Sequence, residues 1–265
     1  MEWQPLTGFI SDACGVELIA DVWRRATAVQ SPPAPVVVVL AAAIAGALVL
    51  PQAVWPYTRM LITITHEGAH GVTAFLTGRR LQGIRLHSDT SGLTVSSGRP
   101  SGPGIVAMLT AGYLGPAMVG LGAVGLLIAG HSLALLWLFV ILLGLLLLQI
   151  RNFYGFLVVV GCALVLILIS WYLPAAMQSG LAYVLTWTFL LAAPKPVVEL
   201  IRQRRRHRTP ESDADQLARL THVPASLWAT GFLIVNCAGL VLGAVLLLPA
   251  LAELGQSVAG QLAAA

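Results

Sequence analysis

Long apolar runs separated by short polar stretches dominate the 265 residues. A helix needs about 20 residues to cross a bilayer. Seven runs read as crossings on that basis: 35–55, 59–78, 104–130, 133–150, 153–173, 180–193 and 226–251. The sixth is short and runs into Pro194 and Pro196. Trp55, Trp171, Tyr172 and Trp228 fall at run ends, where amphipathic rings favour the membrane interface. Small residues four apart, Ala41 with Ala45 and Gly239 with Gly243, suit close helix approach, and equally suit ordinary membrane helices. A different pattern occupies 81–97. There Ile84 and Leu86, then Leu93 and Val95, alternate around Asp89-Thr90-Ser91-Gly92, which is a β-hairpin signal. The pattern predicts an all-α polytopic membrane protein, with about seven transmembrane helices and a short cytoplasmic β-hairpin. It forms a single membrane domain over 35–251, with the hairpin at 81–98 and a basic and acidic cytoplasmic loop at 194–225. A segment 1–34 precedes it and a tail 252–265 follows.

Composition supports this class. Hydrophobic residues make up 57% of the chain and charged residues 10%, with a mean hydropathy of +0.84, whereas a soluble domain carries about 25% charged residues. A disordered chain, a coiled coil and a disulfide scaffold are excluded. Cys14, Cys162 and Cys237 are scattered without metal-ligand or disulfide spacing. No cleavable signal peptide is expected, since 1–31 opens with Glu2 and lacks an early apolar core, so the first run acts as an uncleaved anchor. The net charge of +4 reads as a topology signal rather than a nucleic-acid surface. With the amino terminus in the cytoplasm and seven crossings, Arg24, Arg25, Arg79, Arg80, Arg85, Arg99, Arg151, Arg202, Arg204, Arg205, Arg206 and Arg208 all fall inside. Arg59 is the exception. The expected location is the cell membrane, multi-pass, with the carboxyl terminus outside. The arginine cluster at 202–208 also suits anionic lipid.

The chemistry is concentrated in the second run. His66-Glu67-Gly68-Ala69-His70 places two imidazoles four residues apart, on one face of a helix. Glu67 lies about 100° around that helix. This is the H-E-x-x-H arrangement, two zinc ligands with a general base between them. Glu67 is the only acidic residue well inside any of the seven runs, where a charge costs roughly 2.5–3.5 kcal/mol. A helix selected only for packing would not retain it beside two histidines.

At these residues the chain resembles the site-2 protease family of intramembrane zinc metallopeptidases. The resemblance is carried by the H-E-x-x-H in a membrane helix, the hairpin after it, and the small-residue run Ala111-Gly112-Tyr113-Leu114-Gly115-Pro116-Ala117. It also includes Ser212-Asp213-Ala214, which is similar to the motif of a compact branch of the family. It extends over 59–228, and only the H-E-x-x-H is strongly specific. The resemblance implies one zinc ion per chain, held by His66, His70 and one aspartate. It implies Glu67 as the catalytic base and cleavage of peptide bonds in or beside membrane helices, so that the partners are a membrane-protein substrate and the lipid bilayer. The main family carries its aspartate in an Asn-x-x-Pro…Asp-Gly element, which this sequence lacks. Asp213 takes that place by resemblance to Ser-Asp-Ala, with Asp215 as the substitute. Ser212 and Asp215 also form a capping-box pattern in which acids suit a helix amino terminus.

The remaining polar residues give weaker signals. His222 lies close to Asp213 and could be a ligand or a transition-state partner; a solvated histidine is the plainer reading. His87, His131 and His207 fall in the hairpin, an outer loop and the arginine cluster. Asn152 could bind a substrate backbone or simply close a turn. The hairpin could capture an unwound substrate segment by strand addition or be only a short surface element. The alternative from another class is an inactive membrane scaffold or a metal-binding or transport protein. Transport would favour further acidic or histidine residues along the spans, which are absent. The sequence leaves substrate and oligomeric state open.

Overall fold

The computed structural model describes residues 12–206 and 212–247. In chain order its elements are α1 (Asp12–Thr27), α2 (Pro35–Val49), α3 (Trp55–Leu76), β1 (Arg80–Leu86), β2 (Gly92–Ser97), α4 (Pro103–Ile128), α5 (Ser132–Leu147), α6 (Phe153–Tyr172), α7 (Ala175–Ala192), α8 (Pro194–Arg206), α9 (Asp213–Thr221) and α10 (Ala225–Leu247). Proline stands in the first two positions of α2, α3 and α4, where its missing N–H would have no helical partner. Among the described residues four helices are long and apolar enough to cross a membrane: Pro103–Ile128, Phe153–Tyr172, Ala175–Arg205 and Ala225–Leu247. Two apolar helices, α2 and α5, have 15 and 16 residues. At 1.5 Å per residue α2 reaches about 22 Å, short of the ~30 Å hydrocarbon core.

The chain departs from the expected outline at two places. Pro194 and Pro196 do not end the seventh helix in a loop. Ala193 keeps helical angles (φ −53°, ψ −42°), and both prolines fall in the first turn of α8, where proline is tolerated. The segment 194–225, expected to be a loop, is largely α8 and α9.

The second departure concerns topology. Gln30 N–H donates to Gly130 O at 2.8 Å, and Gln30 Oε1 accepts from Ser132 Oγ and from Leu133 N–H, each at 3.2 Å. The described residues just before α2 therefore lie at the same end of the bundle as the α4–α5 turn. A cytoplasmic segment 1–34 and an exterior 130–132 turn cannot both hold. Helices α2 and α7 run in the same sense: a methyl group on Gly180 would lie 3.8 Å from Val37, and Lys195 Nζ meets Val49 O at the other end. Helix α3 packs antiparallel to α4, with Thr77 beside Gly104 and Ala69 beside Gly115. Since α4 ends beside Gln30, α3 advances in the same sense as α2. The two helices run in one sense and therefore do not supply opposite crossings.

The hairpin lies against α3. Pairing runs Arg80↔Ser97, Leu81↔Ser96, Gly83↔Val95, Ile84↔Thr94, Arg85↔Leu93 and Leu86↔Gly92, with a bulge between Leu81 and Gly83. Gly83 has φ +150°, and a Cβ there would come 2.3 Å from Arg151 Cγ, so glycine is required. The outer edge of β1 is covered by the α5–α6 connection. Ile84 N–H donates to Gln149 O at 2.8 Å and Arg151 N–H to Ile84 O at 2.9 Å. Leu86 N–H donates to Asn152 Oδ1 at 3.1 Å, and Asn152 Nδ2 donates to Leu86 O at 2.6 Å. Asn152 thus continues the strand pairing with its side chain, in the α5–α6 turn. The second edge of β2 has no pairing among the described residues.

Candidate metal centre

The two histidines are set by helix periodicity and completed by a distant helix. His66 and His70 point from α3 toward α4, with ring centroids 4.6 Å apart and planes at 86°. Their Nε2 atoms lie 3.0 Å apart, and Asp213 Oδ2 is 3.2 Å from each. A tetrahedral zinc with ligand bonds of about 2.0–2.1 Å holds its ligand atoms roughly 3.3 Å apart, so this near-equilateral triangle has the right size. His70 Nδ1 lies 2.7 Å from Met108 O. A carbonyl only accepts, so Nδ1 carries a proton, and once Nε2 is deprotonated its lone pair points into the triangle.

Small residues make room for this arrangement. A Cβ on Gly112 would lie 2.4 Å from His70 Nε2 and 2.8 Å from His66 Cε1, and one on Gly115 would lie 2.6 Å from Ala69 Cβ. The missing side chain at Gly112 leaves a cradle over the imidazoles, and the donor set of two nitrogens and one carboxylate oxygen fits zinc. Of the acids in the 212–215 segment, Asp213 faces the histidines, while Asp215 lies in the first turn of α9, which Ser212 caps. Ser212 Oγ accepts from Asp215 N–H at 3.3 Å, and the Asp215 carboxylate takes bonds from Ser212 and Arg204. Ala214 and Leu217, fully buried against Val197, Leu200 and Phe232, anchor α9. Burial alone would push the Asp213 carboxyl up. Hydrogen bonds with His66 and His70 outweigh that and hold it well below the usual carboxylate range.

Glu67 is buried, at 5% exposure. Its Oε2 accepts from Thr94 Oγ1 at 2.6 Å, and Thr94 Oγ1 also reaches Glu67 O at 3.1 Å. Gly92 passes so close that an added Cβ would sit 2.5 Å from Glu67 Oε1. Strand β2 therefore fixes the carboxylate. Glu67 and His66 open on a cavity of about 180 Å³ whose walls include Arg59, Thr63, Tyr113 and Pro196. A much larger apolar groove, about 1650 Å³, runs along the opposite face of α3 past Gly68 and Val72, and does not touch the histidines. The chemistry belongs to the small polar cavity.

The other candidates lie elsewhere. His222 has φ 59° and closes α9 as its carboxyl-terminal cap, its N–H donating to Ala218 O. His87 contacts Ser91 in the hairpin turn, and His131 precedes α5 at the far end of the bundle. His207 lies outside the described residues. The sequence reading missed Tyr113 and Thr94. Tyr113 packs edge-on against His66 at 4.9 Å and stacks on Phe232 at 5.3 Å. Asn236 Nδ2 donates to Tyr113 O at 3.0 Å and ties α10 to α4. The position of Tyr113 inside the small-residue run was the available signal; Thr94 gave none beyond strand alternation.

A family model described as Peptidase M50B-like matches residues 39–243. That match contains every residue of the centre. Neither a curated protein nor a solved structure matches the chain.

Proposed function

The chain belongs to the Peptidase M50B-like family, within the site-2 protease family of intramembrane metallopeptidases, and on that premise we propose that it is a zinc metalloendopeptidase that cuts membrane proteins in or beside their transmembrane segments. The observation that carries this reading is the convergence of His66, His70 and Asp213, from two elements far apart in sequence, on one point beside Glu67. Those three residues would hold the ion, which when bound supplies Lewis-acid polarisation of the scissile carbonyl and lowers the pKa of water. Glu67 takes the proton of the attacking water and delivers it to the departing amine nitrogen. Thr94 orients the Glu67 carboxylate through its hydrogen bond to Oε2. The free edge of β2 receives the substrate as an added strand, which requires the substrate helix to unwind locally and exposes its peptide bond.

The topology that goes with this reading has six crossings. Helices α2 and α3 share one, and α4, α5, α6, α7 with α8, and α10 supply the rest. Arg79, Arg80, Arg85, Arg99, Arg151, Arg202, Arg204 and Arg205 then lie at the end that bears the site, which faces the cytoplasm by the positive-inside rule. The residues before α2 lie at the opposite end with Gln30. Arg24 and Arg25 there are both paired with Asp21.

The test is Glu67→Gln, which keeps the Thr94 hydrogen bond and removes the base. It should retain one zinc per chain and lose at least ~100-fold in cleavage of a membrane-segment substrate. Full cleavage by that variant would refute the assignment.

A further inference from the structure

Arg59 was the one arginine that the topology left unexplained, and the structure puts it on the wall of the cavity that holds His66 and Glu67. It stands seven residues before His66 on α3, and its side chain is 42% exposed. Its one charged neighbour is Glu199, whose Oε2 lies 3.7 Å from Arg59 Nε, beyond hydrogen-bond distance. Glu199 gives its other oxygen to Trp55 Nε1–H at 2.6 Å. Among the described residues neither Nη group of Arg59 makes a hydrogen bond, although a guanidinium offers five donors in a planar fork. Lys195 stands over the Trp55 ring, 4.2 Å from its centroid. Two cations therefore face one carboxylate, and the cluster keeps a net positive charge beside the cavity.

We propose that Arg59 is a specificity residue that binds a substrate carboxylate on the carboxyl-terminal side of the scissile bond. This inference rests on the peptidase reading above. Seven helical residues separate Arg59 from His66 by about 10 Å, which an extended peptide covers in about three residues. The side follows from strand direction. Thr63 Oγ1 bonds Thr90 O at 2.8 Å, Thr94 bonds Glu67, and Ser96 Oγ reaches Met108 Sδ at 3.2 Å. Strand β2 thus runs from the Arg59 end past Glu67. A substrate paired antiparallel to it, the more stable arrangement, runs the other way and carries its residues after the cleaved bond toward Arg59. The carboxylate is an Asp or Glu side chain about three residues beyond that bond, or the substrate's own carboxyl terminus at the same place. A planar fork binds either in bidentate fashion.

The experiment uses the full chain in detergent micelles and amidated apolar peptides that differ only in the position of a single Glu, each with a Gln twin. A third set ends in a free carboxylate at each scanned position. Affinity is read on the Glu67→Gln protein, and the cut site is mapped by mass spectrometry on the unaltered protein. One Glu position should bind about tenfold tighter than its Gln twin, with the cut about three residues before it. Arg59→Gln should erase that preference while keeping zinc, and Arg59→Glu should transfer it to a Lys peptide. The free-carboxylate set tells side-chain from terminal recognition. Equal affinity for Glu and Gln twins, or a preference that survives Arg59→Gln, overturns the proposal. If the Arg59-dependent preference holds and no peptide is cut, carboxylate binding at Arg59 stands, while the peptidase reading and the assignment to one side of a scissile bond fail.

Discussion

Gly112→Ala tests whether the absence of a side chain on α4 is a condition of the metal centre. The added Cβ would lie 2.4 Å from His70 Nε2 and 2.5 Å from its Cε1, where ordinary contact begins at 3.4 Å. The imidazole must therefore move by about 1 Å, against a tolerance of about 0.2 Å in ligand distances. It cannot swing freely, because Met108 O holds Nδ1 at 2.7 Å on the other side. Zinc affinity should fall by at least ~10–100-fold, the range seen when support of a ligand is lost. Stability of the zinc-free protein should fall by about 1–3 kcal/mol from overpacking. Two further variants separate causes. Gly115→Ala meets Ala69 Cβ at 2.6 Å and the Thr65 carbonyl at 3.2 Å, so it should destabilise the α3–α4 contact with a smaller effect on zinc. Gly125→Ala meets nothing within 4 Å and should leave zinc unchanged, with stability equal or up to ~1 kcal/mol higher from helix propensity. Zinc affinity is read by competition with a chelator and stability by thermal unfolding in detergent. Unchanged zinc affinity in Gly112→Ala, or equal losses in Gly112→Ala and Gly115→Ala, would refute the reasoning.

Asp213→Asn should abolish stoichiometric zinc, whereas Asp215→Asn should keep it and loosen α9 by about 1 kcal/mol through loss of a first-turn charge and the Arg204 pair; zinc content against helix protection in hydrogen exchange distinguishes them. Asp213 and Asp215 are both held below the usual carboxylate range, so in the metal-free protein their stabilisation of α9 is complete above the ordinary carboxylate pKa near ~4 and is lost as pH falls through and below it. Hydrogen exchange over 213–221 should accelerate on acidification, and an acid-insensitive α9 would contradict the assignment. Asn152→Ala leaves the Leu86 N–H and carbonyl without their side-chain partner and should cost about 1–3 kcal/mol, with faster exchange at 84–86 and unchanged zinc stoichiometry.

Much of the centre was present in local sequence. His66 and His70 needed only the 3.6-residue period to share a face, and Glu67 was marked by the cost of a carboxylate in an apolar run. The hairpin was legible because alternation over a few residues has one structural solution. Asp213 was chosen by resemblance. Its meeting with the histidines depends on Ala214 and Leu217 seating α9 against α8 and α10, a contact no local pattern encodes. The relative sense of the helices was also a tertiary decision. Hydropathy counts apolar residues without showing that α3 continues in the direction of α2; the Gln30–Gly130, Lys195–Val49 and Thr77–Gly104 contacts reveal it. Asn152 and Arg59 make the same point with opposite outcomes. Both are polar residues at the ends of apolar runs, yet the Asn152 amide bonds the backbone of β1 while, among the described residues, the Arg59 Nη groups bond nothing. Helix periodicity and burial cost act within a few residues, so sequence determined which polar side chains share α3. Which distant carboxylate completes them, and which polar groups stay free, depends on helix packing across the whole bundle.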